Sequence, residues 1–220
     1  MEAAVVEKSR IGRIAALVAA VLYVLSAIHI TIGTFVENGD VDGSTDDNGD
    51  IMFLIWGVLV FVATIAAVVA VWQLLKANGV LGEALAKAAL LVGVIAIVVS
   101  FFCWLWPIWG VALGLSVALA ALALRKHGRG IVGFPSSTDW AILVAWVVGV
   151  AVMYLLWITD LVEADSDGLD WGYTSGYLIG ALITAIVLVS VAQSLRLPAT
   201  VEPTPVETIE PTDGPGVAGI

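Results

Sequence analysis

Apolar residues run along this chain in long blocks separated by short polar or acidic stretches. Ile14–Val36, Ile51–Leu75, Asp139–Thr159 and Gly172–Leu195 are four such blocks. Each supplies roughly the 20 residues that a helix needs to cross a hydrocarbon core of about 30 Å. A fifth block, Ala84–Leu124, is too long for one ordinary crossing and is divided by "CWLWPIWG" at Cys103–Gly110. Proline has no backbone N–H and restricts the residue before it, so Pro107 disfavours helix at Trp106 and predicts a tight hairpin there. The pattern therefore predicts an all-α membrane protein with six transmembrane helices arranged as three hairpins. Residues 1–13 form an N-terminal segment, 14–196 the transmembrane domain, and 197–220 a tail. The first block follows Lys8, Arg10 and Arg13 as a signal peptide would. It is too long for such a segment and lacks an A-x-A-type site, so it reads as an uncleaved span.

The bases orient the bundle. All nine Lys and Arg residues lie before span one, around the loop after span two, after span four or after span six. In a six-span arrangement every one of them falls on the same side. The positive-inside rule makes that side cytoplasmic, which puts both termini inside and the chain in the cytoplasmic (plasma) membrane. Two external loops, "VENGDVDGSTDDNGDI" (Val36–Ile51) and "TDLVEADSDGLDW" (Thr159–Trp171), carry six and five acids and no base. Trp104, Trp106, Trp109, Trp157 and Trp171 fall at the same outer boundary, where indoles are expected to act as interfacial anchors.

Composition narrows the function classes. The chain is 60% hydrophobic and only 13% charged, and its mean hydropathy is +1.04, so lipid is its principal partner. A net charge of −10 argues against nucleic acid as a partner. One cysteine, Cys103, rules out an internal disulfide and a cysteine-cluster metal site. Two histidines, His29 and His127, cannot form a dedicated histidine cage, and no cofactor is expected. The tail combines Pro198, Pro203, Pro205, Pro211 and Pro215 with acids, a composition that cannot build a core.

The sequence also hints at duplication. Span two ends "VAVWQLLK" (Val69–Lys76) and span six ends "VSVAQSLR" (Val189–Arg196). At the same offset Thr64 meets Thr184, Gln73 meets Gln193 and Asp50 meets Asp170. Spans one and two would then repeat as spans five and six in a parallel internal repeat, about an axis along the membrane normal. "RKHG" after span four resembles "KANG" after span two.

Candidate chemistry is sparse. Asn38, Asp40, Asp42 and Gly43 match the first half of a calcium loop, as do Glu163, Asp165, Asp167 and Gly168. The terminal bidentate position, however, is Gly49 in one and Thr174 in the other, so Asp40, Asp42, Asp165 and Asp167 are weak metal candidates only. His29 is the one ionisable side chain well inside a span, with Ser26 a turn away, and intramembrane ionisable groups are functional candidates. Ser116 in "GLSVA" lacks the second glycine of a nucleophile elbow. Gly172, Gly176 and Gly180 form a four-residue-spaced stripe on span six, suited to close helix approach. Gly110–Gly114–Ala118 and Ala141–Ala145–Gly149 are possible mates. The reading that results is a non-enzymatic packing or interaction module, with a membrane-protein partner or a second copy as the expected protein contact. Its alternative is a passive permease or channel for small solutes or cations with an acidic mouth. A membrane enzyme using His29 ranks below both.

Overall fold

The computed structural model describes residues 2–37, 46–102, 106–131 and 171–195. Within these lie α1 (Glu2–Glu37), α2 (Asp46–Ala77), α3 (Ala84–Ser100), α4 (Trp106–Arg125) and α5 (Trp171–Ser194), with no strand among the described residues. Five helices are thus observed where the sequence predicts six. The predicted fifth span at 139–159, the candidate ligands Asp40, Asp42, Asp165 and Asp167, and the tail lie outside the described residues. Helices are the expected outcome, because lipid offers no hydrogen bonds and only a helix satisfies its backbone within one segment. Four of them are long and apolar enough to cross a membrane: Arg10–Phe35, Ile51–Ala77, Ile108–Arg125 and Gly176–Ser194. α3 is apolar but shorter, at 17 residues.

Three boundaries differ from expectation. α1 begins at Glu2, so no break separates the N-terminal segment from the span. α2 begins at Asp46, which moves Asp46, Asp47 and Asp50 from the predicted loop into the helix's first turns. Acids suit that position, since the helix dipole is positive there. α4 begins at Trp106 with Pro107 in its first turn. A first-turn N–H has no acceptor within the helix, so proline is tolerated where the sequence suggested a break.

α2 and α4 stop by the same device. Gly79 N–H bonds Lys76 O and Val80 N–H bonds Leu75 O, while Gly128 N–H bonds Arg125 O and Arg129 N–H bonds Leu124 O. Gly79 and Gly128 have φ of 71° and 67°, in the left-handed region that closes a Schellman motif. The likeness of "KANG" to "RKHG" is therefore explained by shared stop chemistry. The wider repeat gains no support from the described residues. Gln73 is 7% exposed whereas Gln193 is exposed, so the matched glutamines sit in different surroundings.

α1 packs against α2 and α5, α3 against α4, and α2 joins the two groups through α3 and α4. Contacts at the ends fix directions. Arg129 Nη1 donates to Asn78 O at 2.6 Å, bringing the C-terminal ends of α2 and α4 together. Glu83, just before α3, meets Lys126 at 3.5 Å and His127 at 3.4 Å. A Cβ on Gly12 would lie 2.5 Å from Gln73 Cβ and 3.0 Å from Leu195 Cδ1, so α1 starts where α2 and α5 end. At the opposite end Thr34 of α1 bonds Thr174 of α5. α1 and α3 therefore run one way, and α2, α4 and α5 the other. Arg10, Arg13, Lys76, Lys87, Arg125, Lys126 and Arg129 all belong to the first end, hereafter the basic end.

The core divides along the membrane normal. Its basic half is aliphatic, with Leu74, Leu75, Leu124 and Val191, and its other half carries Tyr23, Trp56, Trp109 and Tyr177. Large aliphatics such as Ile14, Val18, Val21, Leu25, Ile28 and Ile32 face outward instead, as a lipid solvent permits. Gly12 is the tightest crossing described. Gly12→Ala should cost about 1–3 kcal/mol through overpacking, whereas Gly82→Ala, with nothing within 4 Å of its added Cβ, should be nearly neutral. Unfolding curves in detergent will separate the two; equal midpoints would disprove a close crossing at Gly12.

Candidate functional site

On α1, Tyr23, Ser26, Ile30 and Thr34 recur every three or four residues and so share one face. That face lies between α2 and α5, and its hydroxyls reach both. Tyr23 OH is 2.8 Å from Thr64 Oγ1 of α2. Ser26 Oγ is 2.6 Å from Tyr177 OH of α5, and Thr34 Oγ1 is 2.6 Å from Thr174 Oγ1.

The proton directions follow from counting hydrogens. Thr64 Oγ1 donates to Val60 O, Ser26 Oγ to Tyr23 O and Thr34 Oγ1 to Ile30 O, each within its own helix. A hydroxyl has one hydrogen, so each of these oxygens can only accept from the neighbouring helix. Tyr23 therefore donates to Thr64, Tyr177 to Ser26 and Thr174 to Thr34. In all three pairs a back-bonded hydroxyl accepts its partner's hydrogen bond. Burial of these side chains costs little because each finds a partner.

Two indoles bracket the phenols. Trp109 of α4 stacks on Tyr23 with centroids 6.0 Å apart at 19°. Trp56 of α2 meets Tyr177 edge-on at 5.2 Å and 80°. Trp109 is only 3% exposed, so it is a core residue and not the interfacial anchor that its position in the sequence suggested.

His29 and Ser26 do not form a joint site. Ser26 is fully buried and committed to Tyr23 and Tyr177. His29 is half-buried and its Nε2 lies 2.9 Å from Met52 O on α2. A carbonyl can only accept, so Nε2 carries hydrogen and the imidazole ties α1 to α2. Ser116 is likewise occupied, donating to Ala89 O of α3 at 2.7 Å. Gly176 is buried beside Tyr177 and Gly180 is half-buried. Their helix packs chiefly on α1, and not on the small-residue face of α4 suggested as a mate. Among the described residues no three His, Cys, Asp or Glu side chains gather as a metal site would require.

Tyr23, Thr34, Trp56, Thr174 and Tyr177 were not apparent as a group from the sequence. The available signal was the hydroxyl spacing on span one, but its partners lie on helices far away in the chain. No family model, no curated protein and no solved structure matches this chain. What its helices do define is a class, the helical integral membrane protein.

Interhelical hydroxyl bonds in membranes are worth about 0.6 kcal/mol on average. Ser26→Ala, Tyr177→Phe and the double variant should therefore give a coupling of about 0.5–1.5 kcal/mol in a double-mutant cycle. Strict additivity would refute the pairing. His29→Gln should keep most of the stability, since a Gln amide can also donate to Met52 O.

Proposed function

We propose that this chain is a non-enzymatic helix-packing and interaction module of the cytoplasmic membrane, crossing it six times with both termini inside. The main support for a module is the way the α1–α2–α5 interface is filled. Tyr23, Trp56, Tyr177, Val60 and Thr34 are among its fully buried large side chains. The paired hydroxyls there spend their hydrogens on one another and on backbone carbonyls. A solute path or a catalytic pocket needs polar groups free to meet a ligand, and this interface uses its hydroxyls as glue. Gly172, Gly176 and Gly180 fit the same purpose, as backbone surface for a close neighbour.

Six crossings are supported by direction. α4 and α5 run the same way, which favours one further crossing in the sequence between them. That stretch contains the apolar block Asp139–Thr159, long enough for one crossing. The concentration of Lys and Arg at the basic end favours the cytoplasm for that face.

Two measurements test this reading. Ser44→Cys and Ser166→Cys should react with an impermeant thiol reagent from outside in a Cys103→Ser background, and Gly128→Cys should not. Labelling of Ser44→Cys and Gly128→Cys from one side would overturn the topology. Purified protein in liposomes should leave potassium, calcium and glycerol fluxes at the level of protein-free vesicles. A protein-dependent flux would replace the module by a permease or channel.

A further inference from the structure

The two sides of the basic end differ in how their polar groups are satisfied. Beside α3 and α4, Glu83 meets Lys126 and His127, and Arg129 donates to Asn78. Beside α1 and α2, Arg10, Arg13 and Lys76 have no carboxylate partner among the described residues. Gln73 sharpens the contrast. It is only 7% exposed, yet its amide has no hydrogen-bond partner among the described residues. Neither amide atom is fully enclosed, so the group keeps an opening to the outside. A buried amide without a partner costs stability unless something outside the chain completes it.

Helix geometry locates the opening. A Cβ on Gly12 would lie 2.5 Å from Gln73 Cβ, so these two positions face each other across α1 and α2. The helices are antiparallel, so at about 100° per residue Ile11 and Trp72 fall on one flank of the crossing and Arg13 on the other. Lys76, three residues beyond Gln73, leans to the Trp72 flank, with its Nζ 4.9 Å from the Trp72 ring centroid. Ile11, Trp72 and Lys76 are all exposed. The unpartnered amide therefore lies beside a cation, an indole and an aliphatic side chain that all face outward. It also lies near the end of the apolar span Ile51–Ala77, at the depth where headgroups meet hydrocarbon.

We infer that Gln73 and Lys76 seat the phosphate of an anionic phospholipid from the leaflet at the basic end, with Trp72 and Ile11 against its first acyl carbons. The Lys76 ammonium attracts the phosphate, and the Gln73 amide N–H donates to a phosphate or ester oxygen. Phosphate is the chemistry recognised, and the depth and apolar flank select a lipid over a free anion. This site goes beyond helix packing and holds whichever side of the membrane the basic end meets.

The test is a titration of the full chain in detergent micelles with phosphatidylglycerol, read as the rise in unfolding midpoint that binding produces. Lys76→Gln should weaken the apparent affinity about fivefold, and Gln73→Met about tenfold. Arg13→Gln, on the other flank, and Lys126→Gln, beside α4, should leave it nearly unchanged. With phosphatidylcholine in place of phosphatidylglycerol, Gln73→Met should unfold no lower than the parent, because the amide it removes has no internal partner. A lower midpoint there would overturn the seat. So would full affinity in Gln73→Met or Lys76→Gln, or losses in Arg13→Gln and Lys126→Gln equal to that in Lys76→Gln, which would mean attraction by net charge alone. Excess inorganic phosphate should not raise the midpoint, and a rise equal to that from phosphatidylglycerol would replace the lipid by a free anion.

Discussion

The hydrogen-bond economy of hydrocarbon is the constraint from which the rest of this structure follows. In lipid an unpaired polar group costs several kcal/mol, so backbone amides inside a span bond within their own helix and a buried hydroxyl needs a donor or acceptor nearby. One hydroxyl of each pair meets this demand twice. Thr64, Ser26 and Thr34 first bond a carbonyl one turn back, then accept from a neighbouring helix. Such a hydroxyl is tolerated in an isolated helix and becomes an attachment point once a partner with a spare hydrogen arrives. α1, which holds Tyr23, Ser26 and Thr34 on one face, is for that reason the helix on which α2 and α5 assemble.

The same economy changes at the membrane boundary. At the basic end water, charge and turns return, and the helices stop with Schellman caps at Gly79 and Gly128. The cap of α2 places Val80 among the core residues with Leu75, and the Asn78 carbonyl remains open for Arg129. Ends of two hairpins are thereby tied together through loop chemistry, while the middles are tied through hydroxyls and ring contacts. Close approach supplies the third means of attachment. Gly12 and Gly93 each occupy a position where a Cβ would press on two other helices.

These contacts bear directly on function. His29 and Ser26 look like a candidate pair on a helical wheel, because they are three residues apart on one span. In three dimensions they face different neighbours, and each is engaged in holding helices together. Among the described residues these interior polar groups are engaged with one another and with backbone carbonyls.

Much of this architecture was readable in the amino-acid order. Block length predicted the four helices that are long and apolar enough to cross a membrane among the described residues, since the thickness of hydrocarbon sets a demand on apolar length. The likeness of "KANG" to "RKHG" suggested a repeat, whereas the positive φ of Gly79 and Gly128 shows two helix stops of the same kind. The sequence could not decide which helices touch. Apolar residues face both lipid and core here, so hydrophobic pattern carries no information about the buried side. Gln73 and Gln193 share a sequence context yet differ in burial, and Trp109 lies in the core despite a position typical of an anchor. Tyr23 meets Thr64 across 41 residues and Ser26 meets Tyr177 across 151. Only tertiary structure brings such groups together, because the free energy that selects their pairing comes from contacts between helices and not from any one segment.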